Sequence, residues 1–236
     1  MGVWLVAVLG MSRAWGCPDY NADPTQLQLL EPAATKGALT AEEKDCLEDR
    51  YAAAKVQTVK DKISRVELVN AYAYSTKSWA QLVRRHLEEV DRSDPDIAYL
   101  YAFYLFNTDR KNAAEVVKWT EVALERKDVW SGDVFVGRVY GLYKLRALAA
   151  NVLWADAEDR RTHGEGNVNN GAIEGMRNDV KVYAREWLDF AKVAGRDTAE
   201  SAALCLSAAT RAIACGLDEQ VKDPAKEPRA RDAPKP

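Results

Sequence analysis

The chain has 236 residues and a formal net charge of −3, and 47% of its residues are hydrophobic. This length is enough to bury a core in one domain or in a short array of repeats. The slightly negative charge argues against nucleic acid as a partner, because nucleic-acid-binding domains are usually basic. Alanine is abundant and strand-like alternation is almost missing, which predicts an all-α fold.

Residues 1–16 differ in composition from the rest of the chain. An apolar run near the start is followed by Ala14 and Gly16, directly before Cys17. Small residues three positions and one position before a cleavage point are typical of signal-peptidase sites. The run is shorter than the roughly 20 residues of a membrane-spanning helix. We therefore expect a signal peptide and a periplasmic or secreted bacterial protein.

Two alternatives remain for this start. The apolar run could form a buried amino-terminal helix. Alternatively, Gly16-Cys17 could be a lipoprotein processing site, with an acylated Cys17 that anchors the protein to the envelope. Any membrane association would then come from that lipid or from a protein partner.

The four cysteines of an exported protein are candidates for disulfides. Cys17 precedes the first predicted helix and Cys46 lies within it, so a bond between them would attach the amino-terminal arm to the domain. Cys205 and Cys215 fall in one predicted helix, about 15 Å apart along its axis. A disulfide needs Cα atoms within about 7 Å. We therefore expect this second pair not to bond unless the helix breaks.

The segment after the expected signal peptide is polar. Residues 17–39 are rich in Asp, Asn, Pro and Gln, which predicts an extended arm with at most one helical turn. Thr40 then forms a capping-box pattern with Glu43, which predicts a helix start. A helical domain is expected over residues 40–218. The tail over 219–236 is charged and contains proline, so we expect it to be disordered.

Apolar residues at helical spacing place the elements of this domain. The pattern predicts one helix over 62–76 and another that Ser78 caps. Asp94 and Pro95 open the next helix, because an acid and a proline both suit a first turn. The last helix is predicted to run without a break over 198–214.

The stretch that follows Asp94 contains three predicted helices. Asn112 and Ser131 are the expected N-caps of the second and the third, and Glu115 completes a capping box with Asn112. Gly137 and Gly141 lie four residues apart on the apolar side of the third helix. Small residues there let a neighbouring helix approach closely, at a cost of about 1 kcal/mol each relative to Ala.

Two segments of this stretch resemble the tetratricopeptide (TPR) repeat. Residues 95–128 are similar to one repeat, and residues 136–140, Val-Gly-Arg-Val-Tyr, resemble the L-G-x-x-Y of the next repeat. Trp119 and Ala123-Leu124 match aromatic and small positions of the second helix. Three positions depart from the repeat pattern, namely Tyr104 at a small position, Val116 at the usual alanine and Asp128 at the usual proline.

The resemblance implies an α-solenoid, in which antiparallel helical hairpins stack and a concave face binds a peptide or a protein. An ordinary α-helical bundle is the alternative. Aromatic residues are dense after Pro95, and Tyr and Trp supply much of the binding energy at interfaces. The predicted binding surface consists of Tyr101, Tyr104, Asn107, Asn112, Trp119 and Tyr140.

Residues suited to catalysis or metal binding are few. The chain has two histidines, and neither has a second His or Cys at metal-ligand spacing. His86 falls on the inner side of a predicted helix, as a core histidine would. Residues 160–175 are rich in Gly and Asn and predict a loop, in which His163 and Glu165 could serve a helical enzyme.

We expect no metal, no cofactor and no catalytic residue. The pattern favours an exported, non-enzymatic scaffold or adaptor that binds a protein or peptide partner in the cell envelope. The alternative is a helical carrier, in which the aromatic cluster and the 160–175 loop line a small-ligand pocket between helices.

Overall fold

The computed structural model describes residues 17–72, 77–164 and 169–217. The predicted signal peptide, Glu165 and the predicted tail lie outside the described residues. Within these ranges every regular element is a helix and no strand is present, so the all-α prediction is confirmed. None of the described helices combines the length with the hydropathy of a membrane-spanning segment.

Backbone contacts divide the chain into two compact units, Met1–Arg92 and Ser93–Pro236. The boundary falls inside the single helical domain predicted over residues 40–218. Each unit buries apolar side chains in a core of its own.

The amino-terminal unit is organised around α3 (Gln57–Tyr72). Contacts with α3 are made by α1 (Glu31–Ala34), α2 (Ala41–Ala53) and α4 (Lys77–Arg85). α4 continues as one π-helical turn, His86–Val90. The arm, α2 and α3 supply most of the buried core of this unit.

Helix starts in this unit follow partly from local chemistry. Thr40 Oγ1 accepts a hydrogen bond from the Glu43 N–H at 3.2 Å, and the Glu43 carboxylate accepts one from the Thr40 N–H at 2.8 Å. The predicted capping box is therefore confirmed. α3 begins ahead of the predicted residue 62, because Val59 joins the core. α4 begins at Lys77, so Ser78 lies inside this helix rather than at the position before its first residue.

The amino-terminal arm is compact, which corrects the prediction of an extended segment over 17–39. Pro24–Leu29 forms a 3-10 helix, which Asp23 caps by accepting a hydrogen bond from the Thr25 N–H. The short α1 follows directly. The arm folds back because moving its apolar side chains out of water lowers the free energy of the folded chain. Those buried in the core are Tyr20, Leu27, Ala34 and Leu39.

A disulfide fixes this arm to α2. Cys17 and Cys46 are bonded, with 5.5 Å between their Cα atoms, which confirms the predicted pair. Arg50 on α2 also donates to the carbonyl oxygen of Cys17. A sulfur in this bond is not available for acylation, so the lipoprotein alternative does not fit the structure.

The described part of the carboxy-terminal unit is a row of helices, each of which packs on the next. They are α5 (Pro95–Thr108), α6 (Ala113–Glu125), α7 (Gly132–Thr162), α8 (Asn170–Val193) and α9 (Ala199–Ala208). α5 also contacts α7. Short connections between successive helices agree with hairpins in series.

Two features predicted for α5 and α7 are present. Asp94 caps α5, since its Oδ1 accepts hydrogen bonds from two first-turn N–H groups at 2.9 and 3.0 Å. Gly141 permits a close approach of α5, because a Cβ at this position would lie 3.0 Å from the ring of Phe103. A Cβ at Gly137 would meet no described atom within 4 Å, so the prediction is wrong for that glycine.

The predicted capping box at Asn112 is wrong. Asn112 has a nearly helical backbone after a 3-10 turn, so its side chain turns back toward α5. Its Nδ2 donates to the Leu105 carbonyl and to Thr108 Oγ1, both at 3.3 Å. The Glu115 carboxylate instead accepts from Trp119 Nε1 at 3.0 Å.

Two predictions near the carboxy terminus are corrected. The loop predicted over 160–175 is shorter, because α7 ends at Thr162 and Asn169 caps α8 by accepting from the Gly171 N–H at 2.8 Å. The last helix breaks after Ala208, where the next residue has an extended backbone. A 3-10 turn, Ala212–Cys215, then follows.

Because of this break, the second cysteine pair does bond. Cys205 and Cys215 form a disulfide with 6.0 Å between their Cα atoms. The predicted continuous helix is wrong, and the condition under which this pair was expected to bond is met.

Candidate functional site

The predicted aromatic surface is largely core. Tyr101 and Trp119 are 3% and 4% exposed, and their ring centroids lie 5.9 Å apart where α5 packs on α6. Tyr104 is half-buried and stacks on Tyr101 with 6.4 Å between centroids. These rings support the helix contact rather than line a groove.

The other predicted site residues do not gather around these rings. Asn107 is exposed, and its Nδ2 donates to the Phe103 carbonyl of its own helix at 2.8 Å. Asn112 is held by α5, as described above. Tyr140 lies on α7 and packs edge-on against Trp187 of α8, with 6.1 Å between centroids. The six predicted residues are therefore distributed over two different helix contacts.

A groove with a volume of about 400 Å³ lies between α6, α7 and α8. It combines acidic, basic and aromatic side chains within the carboxy-terminal unit. The residues that line it are Glu121, Leu124, Glu125, Lys127, Tyr143, Arg146 and Glu186. We call this feature the α6–α8 groove.

Arg146 lies at the bottom of the α6–α8 groove and is 9% exposed. Its guanidinium carbon is 5.4 Å from the centre of the Tyr143 ring and 4.3 Å from that of Tyr183. The guanidinium also forms an ion pair with Glu186 of α8. Its Nε is buried and has no hydrogen-bond partner among the described residues.

The tyrosines beside Arg146 are held in place by charged partners. Tyr183 donates to Glu121 at 2.8 Å, and Lys127 Nζ donates to the Tyr143 hydroxyl at 3.2 Å. Burial raises the pKa of Tyr183 to about 12, and the hydrogen bond to Glu121 acts in the same direction. The Tyr183 hydroxyl is therefore a neutral donor at physiological pH.

The pattern of α7 contains a signal for this site that the sequence analysis missed. Val139, Leu142, Arg146 and Ala149 follow helical spacing, and all four are buried. A charged residue at an inward position needs a partner, because burying an unpaired charge is costly. The identity of that partner, Glu186, depends on how α8 packs and is not encoded locally.

A second polar cluster lies in the amino-terminal unit. Arg85 donates through one nitrogen to both oxygens of Glu48, at 2.7 and 2.8 Å, and through another to Glu67 at 2.5 Å. Its guanidinium carbon lies 4.1 Å from the centre of the Tyr51 ring. Arg85 is therefore the shared cationic partner of two carboxyl groups. Of these two, Glu67 is 9% exposed.

The two carboxyl groups of this cluster have different proton affinities. Burial raises the pKa of Glu67 to about 7, and the neighbouring Glu48 adds to the increase. The hydrogen bond from Arg85 lowers the pKa of Glu48. Perturbed carboxyl groups of this kind are common at functional sites, although structural ion pairs also produce them.

The histidines differ in their surroundings. His86 is fully buried, and its Nδ1 lies 3.1 Å from Ser64 Oγ, which confirms a core position. His163 is exposed at the end of α7, and its Nδ1 lies 2.9 Å from the Asp159 carbonyl oxygen. Its proposed catalytic partner, Glu165, lies outside the described residues.

Comparison of the chain with protein-family models, with curated proteins and with solved structures finds no match.

Proposed function

We propose that this chain is an exported, non-enzymatic, TPR-like adaptor that binds a peptide segment of a protein partner in the bacterial cell envelope. The observation that carries the proposal is the α6–α8 groove, with Arg146 buried at its bottom between two tyrosine rings. Arg and Tyr dominate the binding energy of many protein interfaces. The partner segment lies along the groove and offers a carboxylate to Arg146.

The energetics of Arg146 support this use. Its buried Nε is an unsatisfied donor, and the side chain of its ion-pair partner Glu186 is 46% exposed. Glu186 can rotate into water while a partner carboxylate takes its place, so the charge on Arg146 stays compensated. A preorganised arginine loses little side-chain entropy on binding, which favours affinity.

The cysteines support the proposed compartment. Disulfides persist in oxidising compartments and are rare in the cytosol. Both disulfides of this chain fit export, and the composition of residues 1–16 supplies a signal that would direct it.

The carrier alternative has less support. The aromatic cluster that was expected to line a ligand pocket is packed against neighbouring side chains, as the contact between α5 and α7 shows. Phe103 packs against Gly141, and Tyr99 lies 4.8 Å from Phe103 and 6.1 Å from Trp130, centroid to centroid. We therefore favour the adaptor.

Site-specific photocrosslinking tests the proposal. The photoreactive residue p-benzoylphenylalanine replaces Glu125, which is exposed at the groove, in the full chain expressed in native cells. We expect one or two discrete crosslinked proteins. Arg146→Gln should remove these crosslinks in a chain whose circular dichroism and Tm show that it is folded.

The matched control carries the photoreactive residue at Arg160, which is exposed on α7 outside the groove. Identical crosslinks from positions 125 and 160 would contradict the proposal. So would crosslinks at position 125 that Arg146→Gln leaves unchanged.

A further inference from the structure

The two disulfides of the chain differ in their access to solvent. Cys205 and Cys215 are both fully buried, in the core beside Trp187. Cys17 and Cys46, in contrast, are only half-buried. Exposed disulfides are the labile and regulatory ones, whereas buried structural disulfides resist reduction. A thiol in solution therefore reaches the bond of the amino-terminal arm more readily than the bond that follows α9.

The two sulfurs of the accessible bond have different surroundings. Cys46 lies within α2, and its side chain packs against the core of the amino-terminal unit. Cys17 lies outside any helix, at the start of the arm. We therefore expect an attacking thiolate to approach Cys17, so that Cys46 is the sulfur that leaves.

Tyr20 is placed to assist the departure of Cys46. Its side chain is 3% exposed, and its hydroxyl lies 3.9 Å from Cys46 Sγ. A hydroxyl can donate a hydrogen bond to a thiolate, and a better stabilised thiolate leaves faster. The charges of Glu43 and Arg50 act on this hydroxyl in opposite directions. The hydrogen bond from Tyr20 is therefore the stabilisation that remains.

Arg50 keeps Cys17 close to its partner once the bond is open. The guanidinium of Arg50 donates to the carbonyl oxygen of Cys17, and this hydrogen bond does not involve the sulfur. Three residues later, Tyr20 fixes the chain in the core. Two thiols that are held near each other have a high effective concentration and re-form their bond readily. Opening of this disulfide is therefore reversible.

We propose that the Cys17–Cys46 bond is a reversible redox switch, opened by a partner protein that carries a dithiol. One thiolate of the dithiol attacks Cys17 Sγ, the bond between the cysteines breaks, and Cys46 leaves as a thiolate. The second thiol of the partner then attacks the mixed disulfide. The partner ends as a disulfide, and its two electrons and two protons end on Cys17 and Cys46. The inference does not depend on the proposed adaptor function.

The element that the switch acts on is the amino-terminal arm. The disulfide ties the start of this arm to α2, while the 3-10 helix Pro24–Leu29 and α1 contact α3. After reduction, only non-covalent contacts hold the arm, so it opens locally more often. Each opening uncovers the face of α3 that the arm covers.

Reduction of the native protein by dithiothreitol tests the proposal. Samples are quenched with N-ethylmaleimide, and peptide mass mapping follows each cysteine over time. Cys17 and Cys46 should become alkylated at least about tenfold faster than Cys205 and Cys215, because the buried pair reacts only when the carboxy-terminal unit opens. Equal rates, or faster reduction of the buried pair, would overturn the proposal.

The same reduction in urea is the control for the role of the fold. Both pairs are exposed in the unfolded chain, so the difference between their rates should disappear. A difference of the same size in urea would show that burial does not cause it, and would contradict the proposal.

A monothiol identifies the sulfur that is attacked. With 2-mercaptoethanol, the first mixed disulfide should form on Cys17, while Cys46 becomes alkylated. Tyr20→Phe should slow this reaction about threefold, through loss of one hydrogen bond, in a protein with an unchanged Tm. Tyr72→Phe removes an exposed hydroxyl of α3 and should leave the rate unchanged. A mixed disulfide on Cys46, or equal effects of both variants, would overturn the assigned direction of attack.

Hydrogen exchange tests the effect of the switch on the arm. After selective reduction of Cys17–Cys46, amides of the 3-10 helix Pro24–Leu29 should exchange at least about tenfold faster than in the oxidised protein. Amides of α8 should exchange as before. Unchanged exchange in the arm would show that the bond does not control its opening.

Discussion

The Cα atoms of Cys205 and Cys215 lie 6.0 Å apart, although ten positions separate these residues in the sequence. This bond holds the end of α9 to the 3-10 turn that follows it. Both cysteines are fully buried beside Trp187 and Ala184 of α8. The disulfide therefore holds α9 against α8, and it also joins the end of α9 to the 3-10 turn.

Replacing both cysteines of this pair by alanine should destabilise the carboxy-terminal unit. Loss of a short disulfide loop costs about 3 kcal/mol, since the unfolded chain regains conformational entropy. Hydrogen exchange of the α9 amides should accelerate, whereas exchange in α2 should stay as in the wild type. Unchanged exchange in α9 would show that the bond does not hold this helix.

The stability of the amino-terminal unit should depend on the charge of Glu67. The pKa of this carboxyl group is about 7 in the folded state, whereas an exposed glutamate has an ordinary pKa of 4.5. A raised folded-state pKa means that stability is fully present below the unfolded pKa. That stability is lost as the pH rises through the folded pKa. Ionisation of Glu67 alone should therefore subtract about 3 kcal/mol from the free energy of unfolding between acidic and mildly alkaline pH.

Glu67→Gln should remove this loss, because glutamine stays neutral throughout. Urea unfolding at a series of pH values measures the difference between the two proteins. As the pH rises, the free energy of unfolding of the variant should increase by about 3 kcal/mol relative to that of the wild type. For Asp49→Asn, at an exposed position on α2, the free energy of unfolding should change with pH as it does in the wild type.

Two glycines of α7 should respond differently to the same substitution. Gly137→Ala meets no described atom within 4 Å, so it should gain up to about 1 kcal/mol from the higher helix propensity of alanine. Gly141→Ala places its Cβ 3.0 Å from the Phe103 ring. The crowding there costs about 1–3 kcal/mol. Thermal unfolding should rank Gly137→Ala above Gly141→Ala, and the reverse order would contradict the close helix approach.

The caps of α5 and α7 give a further matched comparison. Asp94→Ala removes two hydrogen bonds to first-turn N–H groups and should cost about 1 kcal/mol or more. Ser131 occupies the corresponding position of α7 but makes no side-chain capping bond. Ser131→Ala should therefore stay within about 0.5 kcal/mol of the wild type in chemical unfolding.

Local signals were enough to predict part of this fold. Thr40 with Glu43, and Asp94 with Pro95, place helix starts correctly because the groups involved are neighbours along the chain. Gly141 was also predicted correctly, since small residues on an apolar helix face predict close packing.

Other features depend on contacts between distant segments. The compact arm needs α3 to cover Leu27, and the inward Arg146 needs Glu186 from another helix. No glycine or proline stands at the break after Ala208, so the local sequence does not predict it. Tyr101 and Trp119 were predicted as a binding surface because aromatic density alone does not distinguish a helix contact from an exposed groove.

The succession of contacts along the carboxy-terminal unit has a kinetic consequence. Each helix from α5 to α9 meets its immediate successor, so most native contacts join segments close in sequence. Such a unit has low contact order and should fold rapidly, starting at any helix pair and spreading outward. The amino-terminal unit must instead close the 29-residue separation between Cys17 and Cys46. Oxidation of this pair, rather than helix formation, should therefore limit the rate at which the newly made protein matures.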